Sequence, residues 1–199
     1  MMERVKDIFR KEADAIKNIP VNGFYNDVVE AIYERVHRRK GKVITSGMGK
    51  AGQIAHSIAT TLSSTGTTAI FLHPSEAQHG DLGIIQENDI LFVISNSGRT
   101  REILELLGLV EELHKGIPVI VLTGNRDSRL AKSADHLLLT GNPPEVCTLG
   151  LTPTTSTTVM AVIGDAVVVL LQEKIGFTKK DYAMRHHGGY LGQKSRGES

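Results

Sequence analysis

The sequence predicts an α/β fold: a five-stranded parallel sheet with helices on both faces. Three observations predict it. Short apolar runs such as Ile90-Leu91-Phe92-Val93-Ile94 lack the polar alternation of a half-solvated strand. These runs take turns with stretches of helical apolar spacing. Several end in small or hydroxyl-rich turns, such as Gly47-Met48-Gly49 and Ser95-Asn96-Ser97-Gly98.

Val5, Ile8, Phe9, Ala13 and Ile16 recur at helical spacing, so residues 3–17 open the chain as a helix. Pro20 interrupts it. Residues 22–39, from Asn22 to Arg39, give a second helix with Phe24, Val28, Ala31, Ile32 and Val36 on one side. The basic run Arg35-Val36-His37-Arg38-Arg39-Lys40 closes that helix, where cations suit the dipole. Val43-Ile44 opens the first strand, and Gly47-Met48-Gly49 turns into a helix that runs to about Leu62. Strands follow at 68–72 and 90–94, then a helix at 100–114. A fourth strand at 118–122 exits through Thr123-Gly124-Asn125. A short helix at 128–134 leads to a fifth strand at 136–139. A loop holding Asn142-Pro143-Pro144-Glu145 precedes a long apolar helix at 155–175, and a polar tail ends the chain. No repeat or low-complexity linker divides it. The reading is one domain, 1–199, with N-terminal helices in 1–40, a sheet core in 41–177 and a tail in 178–199.

Lys and Arg total 23 against 22 Asp and Glu, so no electrostatic case for a nucleic-acid partner arises. Cys147 is the only cysteine, which rules out an intrachain disulfide and fits a reducing compartment. A lone cysteine is more often a small buried hydrophobe than a nucleophile. The charged N-terminus lacks a signal-peptide core. The apolar stretch from 159 to 171 is short for a membrane span and contains Asp165. The expectation is a cytoplasmic enzyme or binding protein with no membrane partner.

In such sheets, ligands bind beyond the C-terminal strand ends, where the winding reverses. An order of 2-1-3-4-5 makes the first and third strands neighbours there, so the turns at 47–52 and 95–100 share one crevice. Ser95, Asn96, Ser97 and Thr100 gather polar side chains at a strand-to-helix turn. A helix start offers unpaired donors and partial positive charge, which suits a phosphate. The same residues also make an ordinary helix cap. Gly47-Met48-Gly49-Lys50-Ala51-Gly52 matches a dinucleotide fingerprint, but the second strand runs into His73-Pro74 where that motif needs an acid. Lys50 suits an anion or a sugar oxygen. His79, followed by Gly80-Asp81, suits a proton shuttle. The His-rich segment also raises a metal, but its spacing fits no standard zinc set and no thiolate joins it. Glu102 lies in the first turn of the helix after Ser97, where the dipole favours a carboxylate. Glu145 sits in a Pro-rich loop, and Thr154, Ser156 and Thr157 begin another hydroxyl-rich helix. His186-His187-Gly188-Gly189 ends the set.

Taken together, Gly47-Met48-Gly49-Lys50, His73-Pro74-x-Glu76-Ala77-x-His79-Gly80-Asp81, Ser95-Asn96-Ser97-Gly98, Pro153-Thr154-x-Ser156-Thr157-Thr158 and His186-x-Gly188-Gly189 resemble D-arabinose 5-phosphate isomerases. These are sugar isomerase (SIS) domain enzymes of Kdo biosynthesis, and the resemblance covers roughly residues 40 to 195. It implies a SIS domain with a flavodoxin-like three-layer sandwich, a homotetramer, and interconversion of D-ribulose 5-phosphate and D-arabinose 5-phosphate. Carried onto this chain, the active-site residues fall on Lys50, His79, Glu102, Glu145 and His186. The phosphate falls to Ser95, Asn96, Ser97 and Thr100, with Ser46, Gly47, Gly49, Thr154, Ser156 and Thr157 assisting. Many members continue into CBS domains; the expectation here is the shorter, single-domain kind. The usual His-Pro-Gly-Gly is His186-His187-Gly188-Gly189, and register favours His186.

Aldose–ketose isomerisation moves a proton between adjacent carbons and needs a base, a charge stabiliser and proton carriers. Glu145 or Glu102 is expected as base, Lys50 at the enediolate oxygens, and His79 and His186 as proton carriers or ring openers. No cofactor is required. CMP-Kdo, a pathway end product, is a candidate feedback ligand. Two other readings compete: a sensor that binds a sugar phosphate or nucleotide sugar without turnover, and an isomerase for another phosphosugar, such as a hexulose 6-phosphate.

Overall fold

The protein is described by a computed structural model covering residues 1–21 and 23–197. Asn22, the expected start of the second helix, lies outside the described residues, as do Glu198 and Ser199 of the tail. Helix α1 (Met2–Lys17) buries no residue fully and lies against the outside of the domain. Helix α2 (Phe24–Ile32) buries Val28, Val29 and Ile32, then widens into a π-helical turn at Tyr33–Arg38. One regular helix was expected there. The wider turn keeps Val36 in the core while His37 Nε2 meets Thr67 Oγ1 at 3.1 Å.

Strand β1 (Val43–Gly47) is wholly buried and feeds helix α3 (Gly49–Ser64). Gly52 makes that join possible. A Cβ on it would sit 2.5 Å from the Gly47 carbonyl oxygen, so the glycine motif is a close-packing device here. Strand β2 (Ala69–Phe71) is shorter than expected and forms one edge. The His-rich segment after it folds into helix α4 (Pro74–Ala77) and a 3-10 turn at Asp81–Ile84. Strand β3 (Ile90–Ile94) and helix α5 (Arg101–Leu113) follow, then β4 (Val119–Thr123), one residue later than expected. Helix α6 (Arg129–Lys132) is capped by Ser128, whose Oγ accepts from Ala131 N at 3.1 Å. Strand β5 (His136–Leu139) and helix α7 (Thr155–Ile175) match the expected spans. The tail is more ordered than expected: α8 (Lys179–Ala183) starts with a capping box between Thr178 and Asp181, and α9 (Gly189–Arg196) follows.

All strand pairs are parallel and the order is β2-β1-β3-β4-β5, as expected. The central strands β1, β3 and β4 are buried on both sides, while the edge strands β2 and β5 are partly open, and each side of the sheet meets its own helices. Phe92, Ile94, Ile120 and Leu122 pack with α2, α3 and α7. Leu91, Val93 and Val121 face Ile103, Leu106 and Val110 of α5. Successive strand residues point to opposite faces, so β3 serves both clusters. By length and composition alone helix α7 could cross a membrane, although Asp165 interrupts its apolar stretch. Val159, Met160, Ile163, Val167 and Leu171 are buried against the sheet, as in a core helix.

Candidate active site

The turns after β1, β3, β4 and β5 surround a cleft of about 1170 Å³ at the C-terminal end of the sheet. Parallel pairing of β1 with both β2 and β3 creates it, because the connections leave in opposite directions from that point. The first turn of α7 closes one side. The cleft brings together Lys50, Ser95, Asn96, Ser97, Thr100, Glu145, Ser156 and Thr157.

Two helix N-termini meet here in different states. Helix α5 starts at Thr100, and no side chain caps it. Within its turn, Ser95 Oγ and Thr100 Oγ1 bond at 2.7 Å, and Gly98 N donates to Ser95 Oγ at 3.2 Å. Arg99 N donates to Ser97 Oγ at 3.2 Å. These bonds shape the turn and leave the first amides of α5 without an intrahelical acceptor. Such an end attracts an anion. Helix α7 already has its anion. Glu145 Oε2 accepts from Thr154 N at 2.7 Å, Thr154 Oγ1 at 2.9 Å and Ser156 N at 3.3 Å. Burial pushes the Glu145 carboxyl up, but the bonds from Ser156 and Thr154 outweigh it and hold the group below the usual range. The expected help of Thr154 with the phosphate therefore meets an internal competitor, because its amide and hydroxyl both serve Glu145.

Lys50 follows the first residue of α3 and is exposed in the cleft. Its Nζ lies 3.4 Å from Gln53 Oε1, a long contact that leaves the ammonium for a ligand. Asn96 Oδ1 is buried with no hydrogen-bond partner. It is an acceptor suited to a substrate hydroxyl.

Other expected residues lie outside this lining. Ser46 is fully buried, and its hydroxyl donates to the Leu72 carbonyl at 2.7 Å, tying β1 to the end of β2. Gly47 packs against α3, and Gly49 turns the chain with φ +56°. Glu102 is the second residue of α5 and is half-buried. His79 is exposed beyond α4. His186 is partly buried, with its ring stacked on Tyr182 at 3.7 Å between centroids and its Nδ1 3.0 Å from the Tyr182 carbonyl. Among the described residues, no three of His, Cys, Asp and Glu form a group that could hold a metal ion.

Sequence reasoning missed Arg99, Asn125, Arg126 and Asp127, which also line the cleft. Their signal was present: the strand exit Thr123-Gly124-Asn125 lies at the same sheet end as the other turns. Asn125 Nδ2 reaches the Ser97 carbonyl at 3.4 Å and links the two turns.

Residues 37–170 match the SIS domain family. An arabinose 5-phosphate isomerase KdsD from Pseudomonas aeruginosa is 45% identical over 183 residues, which is 92% of this chain and 55% of that protein. The enzyme of the same name from Salmonella typhi is 41% identical over 189 residues, 95% of this chain and 56% of that protein. The chain thus spans about half the length of these curated relatives. A Bacteroides fragilis protein, assigned as a phosphosugar isomerase involved in capsule formation, is 60% identical with a TM-score of 0.94, covering 96% of this chain and 99% of that one. An E. coli CFT073 protein solved in complex with arabinose 5-phosphate is 36% identical with a TM-score of 0.86, covering 93% and 96%. With that family match running from residue 37 to residue 170, across all five strands, the chain belongs to the SIS domain family.

Proposed function

We propose that this protein interconverts D-ribulose 5-phosphate and D-arabinose 5-phosphate through an enediol, and so supplies Kdo and lipopolysaccharide synthesis. One observation carries the reading: a single cleft holds an uncapped helix N-terminus, a lysine ammonium and an ionised carboxylate. The relatives named arabinose 5-phosphate isomerase and the structural relative bound to that sugar phosphate support the choice of sugar.

The phosphate sits at the amides of α5 within the turn of Ser95, Asn96, Ser97 and Thr100. Binding there positions carbons 1 and 2 toward Lys50 and Glu145. A carboxylate takes a proton from carbon 1 of the ketose. The electron pair moves into the carbon 1–carbon 2 bond, and the negative charge gathers on oxygen 2 beside Lys50. The proton returns at carbon 2, and oxygen 1 gives its proton to oxygen 2, which yields the aldose. Glu145 is favoured as the base because it lines the cleft. Its Oε2 is engaged, which leaves Oε1 for the carbon-bound proton. Glu102 is the second choice. Ser46, Gly47 and Gly49 serve the site through the backbone of the β1–α3 turn.

His79 and His186 carry protons between the oxygens or open the furanose ring. Both lie outside their own chain's cleft, which favours delivery from neighbouring copies in a homotetramer. Helix α7 supports this reading. It rises about 31 Å away from the cleft before the tail bearing His186 begins. CMP-Kdo is the proposed feedback ligand, because the cleft of about 1170 Å³ exceeds what a pentose phosphate fills. The cytoplasm is the proposed compartment, consistent with one unpaired cysteine.

The test is proton NMR of the protein with D-ribulose 5-phosphate in deuterated buffer. Arabinose 5-phosphate with deuterium at carbon 2 is expected. Binding without any product would overturn the isomerase reading in favour of a sensor.

A further inference from the structure

We infer that helix α1 is a strap that positions Glu145, acting through Glu12 and the Thr155 hydroxyl. This rests on Glu145 taking part in the reaction, as proposed above. The connection runs through few atoms. Thr155 Oγ1 donates to Glu12 Oε1 at 2.9 Å. The same Oγ1 accepts from Val146 N at 3.2 Å. From the other side, Arg4 Nη2 donates to the Val146 carbonyl at 2.9 Å. Both backbone polar groups of Val146, the residue next to Glu145, are thus held by α1, one directly and one through Thr155.

The direction of these bonds is set by chemistry. The Val146 N–H can only donate, so the Thr155 oxygen accepts there and its own proton points at Glu12. Its lone pairs are then turned to the Val146 amide. Glu12 Oε2 is buried and has no hydrogen-bond partner. Keeping an unpaired carboxylate oxygen there costs stability. That cost makes sense where the carboxylate orients a neighbour. A groove of about 540 Å³ lies between α1 and the loop beside these bonds. Beyond the loop, Glu145 contributes to the wall of the cleft as well as to this groove. A shift of the loop therefore moves the carboxylate against the substrate, and displacement of about 1 Å costs on the order of 100-fold in rate.

Cys147, two residues beyond Glu145, is a built-in reporter of the loop. Its Sγ accepts from Thr152 N at 3.2 Å and from Leu151 N at 3.3 Å, and these bonds bring the thiol down to about 7. Loosening the loop changes how fast a thiol reagent labels it, whatever sugar the enzyme prefers.

The experiment compares Glu12→Leu, Glu12→Gln, Thr155→Val and the double variant Glu12→Leu/Thr155→Val, with Glu145→Gln alongside. For each, kcat and KM with arabinose 5-phosphate, the Cys147 labelling rate and the urea midpoint are measured. Glu12→Leu and Thr155→Val should each lower kcat by about tenfold or more with little change in KM. The double variant should be no worse than the worse single one, because both changes break one relay. Glu12→Gln keeps an acceptor for Thr155 and should stay within about threefold of wild type, with labelling unchanged. Labelling should be altered in the Leu and Val variants. Wild-type kcat and labelling in Glu12→Leu, with Glu145→Gln impaired, would overturn the strap alone. Equal losses in Glu12→Leu and Glu12→Gln would also overturn it. Full turnover by Glu145→Gln would overturn the part given to Glu145, and the strap with it. Should Glu12→Leu fail to fold, Thr155→Val and Glu12→Gln decide the question.

Discussion

Replacing Gly98 tests whether the turn proposed to hold the phosphate depends on its left-handed residue. Gly98 has φ +63°. A Cβ there would lie 2.1 Å from Ser128 Oγ and 2.4 Å from Ser128 Cβ. Ser128 caps α6 by accepting from Ala131 N, and Leu130 N donates to the Gly98 carbonyl at 3.3 Å. Gly98→Ala therefore incurs three penalties. A left-handed alanine costs about 1 kcal/mol, and a displaced cap about 1 kcal/mol. Overpacking adds about 2 kcal/mol, for a total near 4 kcal/mol. Urea unfolding measures this against a typical stability of about 5–15 kcal/mol. Ser128→Gly removes both atoms that clash and costs only a few tenths as a cap, so adding it should restore about 2 kcal/mol. The same variant should raise KM for arabinose 5-phosphate, because the turn that precedes the α5 amides is displaced. A loss under about 1 kcal/mol, or no recovery on adding Ser128→Gly, would refute the account of the turn.

Lys50→Met should lower kcat by about 100-fold or more, read by a coupled isomerase assay, since it removes the cation proposed at the enediolate oxygens. Free D-arabinose should be a far poorer substrate than its 5-phosphate; equal turnover would remove the anchoring role of the α5 N-terminus. Glu145 is held below the ordinary carboxyl range in the folded protein, so the unfolded chain binds its proton more readily. Its contribution to stability should be full above the unfolded value and lost as the pH falls through the folded one. Urea midpoints of wild type and Glu145→Gln should therefore differ at neutral pH and converge in acid.

The strands were legible because four are local apolar runs and the first opens with Val43-Ile44. Ile90 to Ile94 needs no partner to be recognised, since burial on both faces demands apolar residues at every position. The long helix at Thr155–Ile175 was legible for a similar reason: its length rules out a strand. The turn from Ser95 to Thr100 could be read too, since a hydroxyl-rich strand-to-helix turn is local chemistry. The π-helical turn at Tyr33–Arg38 was not legible. Its His37 meets the Thr67 hydroxyl, far along the chain, and no local pattern marks that contact. The short helices of the tail were missed because their apolar content is low, although the Thr178–Asp181 capping box was a local sign.

The sequence by itself determined the layer architecture, the end of the sheet where the hydroxyl-rich turns gather, and the residue types available there. These follow from periodicity and from turn chemistry within a few residues. Tertiary structure alone decided what each candidate touches. Ser46 serves the backbone of Leu72, and Glu145 caps α7. Glu12 reaches Thr155 across 143 positions of sequence. His79 and His186 lie apart from their own cleft. Such pairings depend on where the winding of the sheet brings distant turns, and no local pattern encodes that distance.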